Sequence, residues 1–503
     1  MSTALLTKEI RTRMRGKTVF ILQNLYLLLL FGILLLMLQD AAVGEYGWIV
    51  GRSLFEFILG FQLVVLILIG PSITASAITM ERDQRTWDLL TSTPLTMKRI
   101  VWSKFVASLS YLLVLLCVSL PGSSICLILG GTSPTELLFA YLLSALAVFA
   151  AGAVGLYVSS CFHRTIASVP VAGASILFLF AISSILVGQL SDAVKMWNPL
   201  YAFGHLTGSW GVSWYRSEIP FWVPSFVLLT LSAFALIETA EQHAKLPERA
   251  DHRLGKLLTF LLIASAFLFQ IGGTYPDRLD AGVVSGWQLD TLAYVMRVGL
   301  LLMLVFPVGI PTPIDHDQLR RRARRSLLWR FFGGNLLAGG PFILLLSATV
   351  LAVLWVSSLW LPAVPEGASQ MARAAALICA VLAFFGSAGL LLSFTPRLSG
   401  RFVPRLILGV LLAAVLFLPP YCVQLIHRDD EGGLSYSRVD ALYLMSPTDA
   451  LWYLRNPTPY LKHPFVKTLS NTASITTCTT VLYFGLSALL LILLRYRLRS
   501  SRP

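Results

Sequence analysis

The sequence predicts an all-α polytopic membrane protein with about 12 transmembrane helices, and three observations carry that prediction. The first is composition: 56% of the 503 residues are hydrophobic, 13% are charged and the mean hydropathy is +0.74. An ordinary soluble domain carries about 25% charged residues. The second is the recurrence of apolar runs long enough to cross about 30 Å of hydrocarbon. The third is the placing of Lys and Arg in short segments between those runs, with no long stripe on one face. Disorder is excluded by the abundance of Leu, Val, Phe and Ile. A disulfide scaffold is excluded by having only six Cys in 503 residues. The net charge of +14 reads as positive-inside bias, and no nucleic-acid partner is expected.

The runs lie near 19–38, 54–80, 105–129, 135–160, 166–188 and 219–240, then near 256–273, 291–313, 335–361, 373–395, 405–426 and 472–494. An even number of spans puts both termini on one side. Most of the basic residues fall between Lys8 and Lys17, in 81–104, at Arg164, in 241–256, 315–330 and 397–405, and in the tail from Arg495. All these segments share a side, so both termini are predicted to be cytosolic. The first apolar run exceeds the roughly 7–15 residues of a signal h-region and has no small-residue cleavage site after it, so no cleavable signal is expected. Before it, residues 2–18 carry Leu5, Leu6, Ile10 and Met14 at helical spacing. They predict an amphipathic helix in the inner interface.

Chemistry-bearing motifs are scarce. Gly16-Lys17-Thr18 ends like a phosphate-binding loop, but Arg11 stands where that loop needs another glycine. The six Cys (Cys117, Cys126, Cys161, Cys379, Cys422 and Cys478) lie in or beside predicted spans without metal-ligand spacing and read as small apolar residues. Asp315-His316-Asp317 and the outer acidic patch of His427, Asp429, Asp430 and Glu431 read as solvated turns. Arg297 is the main intramembrane ionisable residue, with Glu56 and Glu238 near span ends. So sparse a set argues against a proton-driven carrier.

One segment is informative: Ile78 to Lys104, after the second span on the cytosolic side. Glu81 through Leu90 predict a short helix with Trp87 and Leu90 on one face and Arg82, Arg85 and Asp88 elsewhere. Thr93 is expected to cap a new helix with Pro94 at its first position, where a missing N–H costs nothing. A rigid amphipathic knob of this kind suits a groove on a soluble motor, the apolar tip filling it and the charges setting register.

Glu81-Arg82-x-x-x-Thr86-x-Asp88-Leu89-Leu90-x-x-x-Pro94-Leu95, followed by Ile100 and Lys104, resembles the permease subunits of ABC type-2 transporters. The resemblance covers about residues 1–240, one six-helix unit. It implies that 81–94 is the coupling helix that docks on a separate ATP-binding subunit. Glu81, Arg82, Thr86, Trp87, Asp88, Leu89, Leu90, Pro94 and Lys104 would be its docking residues. Where the family often has glycine before the threonine, this chain has Arg85. The leader with Lys8-Glu9 is similar to the family's elbow helix. Asn198-Pro199-Leu200-Tyr201-Ala202-Phe203, amid Trp197, Trp210, Trp214, Tyr215 and Trp222, is similar to its re-entrant outer segment.

Residues 241–503 repeat the count of six spans, and Ser446 to Leu451 echoes Asn198 to Phe203. The loop Asp315 to Arg330 stands where a second coupling helix would be, with Asp315, Asp317, Arg321 and Trp329 as its candidate contacts, but without a Thr-Pro-Leu ending. Either it is a diverged duplicate, which would give one chain both permease halves, or it is a basic patch for anionic lipid. The resemblance implies a multi-pass permease of the bacterial inner membrane without catalytic residues or cofactors. Powered by a partner ATPase, it would move a substrate, by resemblance outward, as a homodimer or a pseudo-dimer within one chain. The rival readings are an ATPase-independent carrier or channel, and a membrane-embedded enzyme acting on lipid.

Overall fold

A computed structural model describes residues 3–14, 17–41, 47–186, 191–208, 211–215, 217–245, 253–275 and 472–500, with scattered helical positions between 348 and 388. The described chain is mostly helical. The elements are α1 (Thr3–Met14), α2 (Lys17–Ala41), α3 (Gly47–Asp83), α4 (Trp87–Thr91), α5 (Met97–Val118), α6 (Leu120–Ile128), α7 (Pro134–Cys161), α8 (Thr165–Leu186), α9 (Asp192–Lys195) and α10 (Pro199–Thr207). The strands β1 (Gly211–Trp214) and β2 (Ser217–Pro220) pair next, followed by α11 (Trp222–Ala244), α12 (Arg253–Gly273) and α13 (Thr472–Ser500). Among the described residues, four stretches are long and apolar enough to cross a membrane: Gly47–Asp83, Met97–Ile128, Pro134–Cys161 and Trp222–Ala244. The runs predicted near 19–38, 166–188, 256–273 and 472–494 fall on α2, α8, α12 and α13. Those near 291–313 and 405–426 lie outside the described residues, and those near 335–361 and 373–395 are described only at scattered positions.

The chain divides into two compact units, one of Met1–Ser213 with Ser217–Ala250 and the other of Trp214–Arg216 with Asp251–Pro503. In the first, α3 is the central column, packed on α7 and α8, and α7 also packs on α11. Lipid offers no hydrophobic drive for helices to associate, so close packing by small residues takes its place. Gly152 and Gly155 sit on α7 where α3 comes nearest. A Cβ at Gly155 would lie 2.7 Å from Pro71 Cα and overlap Thr74 Oγ1 and the Pro71 carbonyl. Hydroxyls reinforce the seam. Ser159 Oγ accepts the N–H groups of Ile78 (3.0 Å) and Thr79 (3.2 Å), and Ser168 Oγ donates to the Ala75 carbonyl at 3.0 Å. Aromatic edges fill the space among α5, α7 and α11, with Phe105–Phe149 and Phe149–Phe234 centroids 5.5 and 5.7 Å apart. In the second unit, Phe384 packs edge-on against Tyr483 at 5.5 Å, and Ser487 Oγ donates to the Ala383 carbonyl at 3.3 Å.

Three local features differ from the sequence reading. Glu81–Leu90 is not one helix: α3 continues to Asp83, a turn follows, and α4 begins at Trp87. Thr93 and Pro94 do not open the next helix, which starts at Met97 behind an extended Thr96 (φ −70°, ψ 143°). The reason is that the Thr93 hydroxyl is committed backward. Thr91, Ser92 and Thr93 donate to the carbonyls of Asp88 (3.1 Å), Leu89 (2.8 Å) and Leu90 (2.7 Å), closing the end of α4. The β1–β2 hairpin was also not foreseen. It turns through Tyr215 at φ 45°, without the Asn-Gly or Asp-Gly pair that marks such turns in a sequence.

The α3–α7 seam yields a test. Gly155→Ala is expected to lower stability by about 1–3 kcal/mol through overpacking. Gly204→Ala, whose added Cβ meets nothing within 4 Å, should leave it unchanged. Thermal unfolding of both variants in one detergent measures the difference.

Candidate functional site

At the end of the first unit that carries α4, the side chains build outward from one buried cation. Lys104 on α5 is 2% exposed, and its Nζ lies 2.7 Å from Glu81 Oε1 on α3 and 3.0 Å from Glu9 Oε1 on α1. A buried ammonium is costly unless paired, and here two carboxylates share it. Lys104 is therefore inside the assembly of helices, away from any exposed docking face. Glu81 also reaches forward: its Oε2 accepts the Thr86 hydroxyl, and its carbonyl accepts the Thr86 N–H at 2.9 Å. One glutamate thus shares a cation with α1 and fixes the residue that precedes α4.

Arg82 turns inward. Its Nη1 donates to the carbonyls of Ser160 (3.1 Å) and Phe162 (2.6 Å) at the end of α7, and its guanidinium lies 5.5 Å from the centre of the Trp87 ring. These contacts satisfy orphan carbonyls at a helix C-terminus, where positive charge is also favoured. Arg82 and Trp87 therefore clasp α4 to α7. The turn between α3 and α4 passes through Arg85 at φ 57°, the left-handed region that glycine enters without penalty. What remains facing outward on α4 is Asp88 and, above all, Leu89, which is 70% exposed. Leu90 is half-buried and Pro94 is exposed in the connection to α5. Of the predicted docking residues, Glu81, Arg82, Thr86 and Lys104 hold the module together, Trp87 joins them, and Asp88, Leu89 and Pro94 form its exposed part.

A second charged cluster escaped the sequence reading. Arg52 near the start of α3 contacts Glu56 at 3.0 Å and Glu136 at the start of α7 at 3.2 Å, and donates to the Thr207 carbonyl at the end of α10. It ties the segment after Asn198 to two long helices. Asn198 itself caps α10 by accepting the Leu200 N–H at 3.0 Å, with Pro199 in the first turn. Just upstream, Asp192 Oδ1 lies 2.7 Å from Lys195 Nζ and accepts the Tyr201 hydroxyl at 3.2 Å. Burial pushes the Asp192 carboxyl up, but these donors outweigh it and hold its pKa below the ordinary value. The pair stabilises this segment at neutral pH and ceases to do so as acid protonates Asp192.

Glu238 is buried in α11 with Oε1 accepting from Gln242 Nε2 at 2.8 Å, and Glu56 is occupied by Arg52. Arg297, Asp315, Asp317, Arg321 and Trp329 lie outside the described residues, as do His316 and the patch from His427 to Glu431. Among the described residues, no group of three or more His, Cys, Asp or Glu is placed to hold a metal ion.

Two measurements check this geometry. Lys104→Met should cost about 3–5 kcal/mol, because it leaves two inward carboxylates unpaired. Its double-mutant cycle with Glu81→Gln should show coupling of about 1 kcal/mol or more. Arg85→Gly should raise the melting temperature slightly, relieving about 1 kcal/mol of left-handed strain, whereas Arg85→Val should lower it.

Residues 50–272 match the family model described as ABC-2 family transporter protein. No curated protein and no solved structure matches the chain. Permeases of that family normally work with a separate ABC ATPase. The matched stretch spans α3 to α12 and contains all four long apolar stretches. With its long apolar columns, this is a multi-pass membrane protein whose residues 50–272 are similar to the ABC-2 family transporter proteins.

Proposed function

We propose that this chain is the translocating subunit of an ABC exporter, driven by a separate ATPase that docks on α4. The observation that carries the reading is the exposed Leu89 on a short helix whose entry is pinned at Thr86 and Trp87. A motor transmits force only through a link stiffer than the change it drives. Moving a two-state equilibrium from 1:99 to 99:1 takes about 5.5 kcal/mol of differential binding. Losing one partner of the Lys104 cluster costs about 3–5 kcal/mol, so the anchorage is of the same order as the load. ATP binding would bring the motor against α4, and the push would pass through Glu81 into α3 and through Lys104 into α1 and α5.

In this reading both termini are cytosolic, the protein resides in the bacterial inner membrane, and twelve spans form two six-helix halves, 1–240 and 241–503. The second half is a diverged duplicate, and the loop from Asp315 to Arg330 is its docking element. Supporting it are the basic segments on one side, the repeated span count and the echo of Asn198–Phe203 in Ser446–Leu451. Such an arrangement makes a pseudo-dimer within one chain.

The test is co-purification from native membranes with identification of any protein bearing a complete phosphate-binding loop. Leu89→Asp should abolish recovery of that ATPase while leaving the melting temperature of the permease unchanged, because the side chain supports nothing in its own fold. Uphill transport by the purified chain alone in vesicles, or an undiminished ATPase with Leu89→Asp, would overturn the proposal.

A further inference from the structure

Within the apolar part of the first unit, five polar side chains meet from four helical stretches. Gln62 lies in α3, Ser119 and Ser123 at the break between α5 and α6, Tyr141 in α7 and Tyr26 in α2. The first four residues belong to stretches able to cross a membrane, and Tyr26 falls in the shorter apolar run Gln23–Leu36. Gln62 and Ser123 have no exposed surface, and Ser119 and Tyr26 are buried. The Tyr141 hydroxyl lies 3.0 Å from Ser119 Oγ and 2.7 Å from Ser123 Oγ. Gln62 sits beside Tyr141, and Tyr26 beside Ser119. Yet among the described residues neither the amide oxygen nor the amide nitrogen of Gln62 has a hydrogen-bond partner, and nor does the Tyr26 hydroxyl.

The protons of the cluster show what is lacking. Ser119 donates to the Leu116 carbonyl at 2.7 Å and Ser123 to the Leu120 carbonyl at 3.1 Å, at a break where Pro121 has no N–H to offer. Each serine can then only accept from Tyr141, which has a single proton for the two of them. Left over are the Gln62 N–H groups and the Tyr26 O–H as donors, with Gln62 Oε1 and the Tyr141 oxygen as acceptors. A buried amide with none of its bonds made is costly, and the surrounding lipid supplies no partner.

We propose that Gln62, Tyr26 and Tyr141 hold a bound water site, of one or two molecules, inside the first unit beside the α5–α6 break. Water offers lone pairs to the amide N–H groups and the Tyr26 hydroxyl, and protons to Gln62 Oε1 and the Tyr141 oxygen. Buried waters typically make two to four such bonds. The five side chains include no carboxylate and no cation, so a charged ligand would find no counter-charge there. The site also gives α2 a register. Its buried row is Tyr26, Leu30 and Leu34, and in lipid the two leucines add little drive for association. Tyr26 is the polar member of that row, and through water it would fix the height and rotation of α2 against α3 and α7. This inference does not depend on what docks at α4.

The test is radiolytic hydroxyl-radical labelling of the full chain in lipid nanodiscs, where buried side chains are modified only beside bound water. Tyr26 and Tyr141 should be labelled well above Phe105, which is fully buried among Trp102 and Phe149. In Gln62→Leu the Tyr26 label should fall to the level of Phe105. That variant should also lower the melting temperature by about 2–4 °C, because the tyrosine hydroxyls lose the water that Gln62 holds. The triple variant Tyr26→Phe, Gln62→Leu and Tyr141→Phe should recover most of the loss, since no polar group is then left in need of a partner. Labelling of both tyrosines no greater than Phe105 overturns the site in the unaltered protein. A melting temperature that rises in Gln62→Leu alone marks a dry amide and overturns it as well. A Tyr26 label undiminished in that variant overturns the role of Gln62.

Discussion

A single ammonium group organises the end of the first unit that carries α4. Lys104 has almost no access to solvent, and its charge is tolerable only because Glu81 and Glu9 approach within hydrogen-bonding distance from two other helices. The three helices involved have different jobs. α1 is the elbow before the first apolar helix, α3 is the central column, and α5 begins the next stretch able to cross a membrane. Substituting an aliphatic side chain for the lysine would retain packing but lose the directional demand that fixes all three at once. Glu81 then extends that order into the turn, because the carboxylate that binds Lys104 also receives the Thr86 hydroxyl. The position of α4 is therefore tied to the buried charge of Lys104 through Glu81 and Thr86.

Away from this cluster, cohesion has a different origin. Between α3, α7 and α8 the contacts are made by glycine, alanine, serine and threonine, whose backbones approach closely and whose hydroxyls find carbonyls or N–H groups within the seam. In an apolar solvent burying leucine gains little, while dispersion and interhelical hydrogen bonds still operate. Large apolar side chains accordingly point outward on α2 and α13, where Leu28, Leu36 and Ile492 are exposed. Small residues set the closest helix approaches at this seam, while Phe55, Leu63 and Phe105 fill the interior around it.

The apolar columns were legible in the sequence because hydropathy over about 20 residues is a local property. The cap formed by Asn198 and Pro199, whose signal spans two residues, was not read as one. The segment after α3 stood out in the sequence, but the internal contacts of its residues did not. Arg82 and Lys104 look like surface charges flanking an amphipathic helix, and only the fold brings Ser160, Phe162 and Glu9 to them. Arg52 is more extreme: its partners Glu136 and Thr207 lie 84 and 155 residues away, and no spacing rule connects them. Trp87 and Leu90 were expected to make the apolar tip, yet the cation of Arg82 draws Trp87 down and leaves Leu89 outermost. The left-handed turn at Arg85 had one available sign, the arginine standing where related sequences often carry glycine.

These inversions share a physical cause. In the proposed reading α4 receives force, and long side chains paired within the fold pass motion on where unpaired ones would absorb it. Glu81, Arg82, Thr86 and Lys104 are thus consumed in bracing the segment, and in the proposed reading recognition falls to the exposed Leu89 on α4. Side-chain entropy favours the same division. Immobilising arginine or lysine costs up to about 2 kcal/mol each, a cost met once during folding when the partners are internal. At a transient interface it would recur at every encounter. Leucine and isoleucine lose about 0.5–1 kcal/mol and return more through burial, so a contact made and broken in each cycle is better entrusted to them.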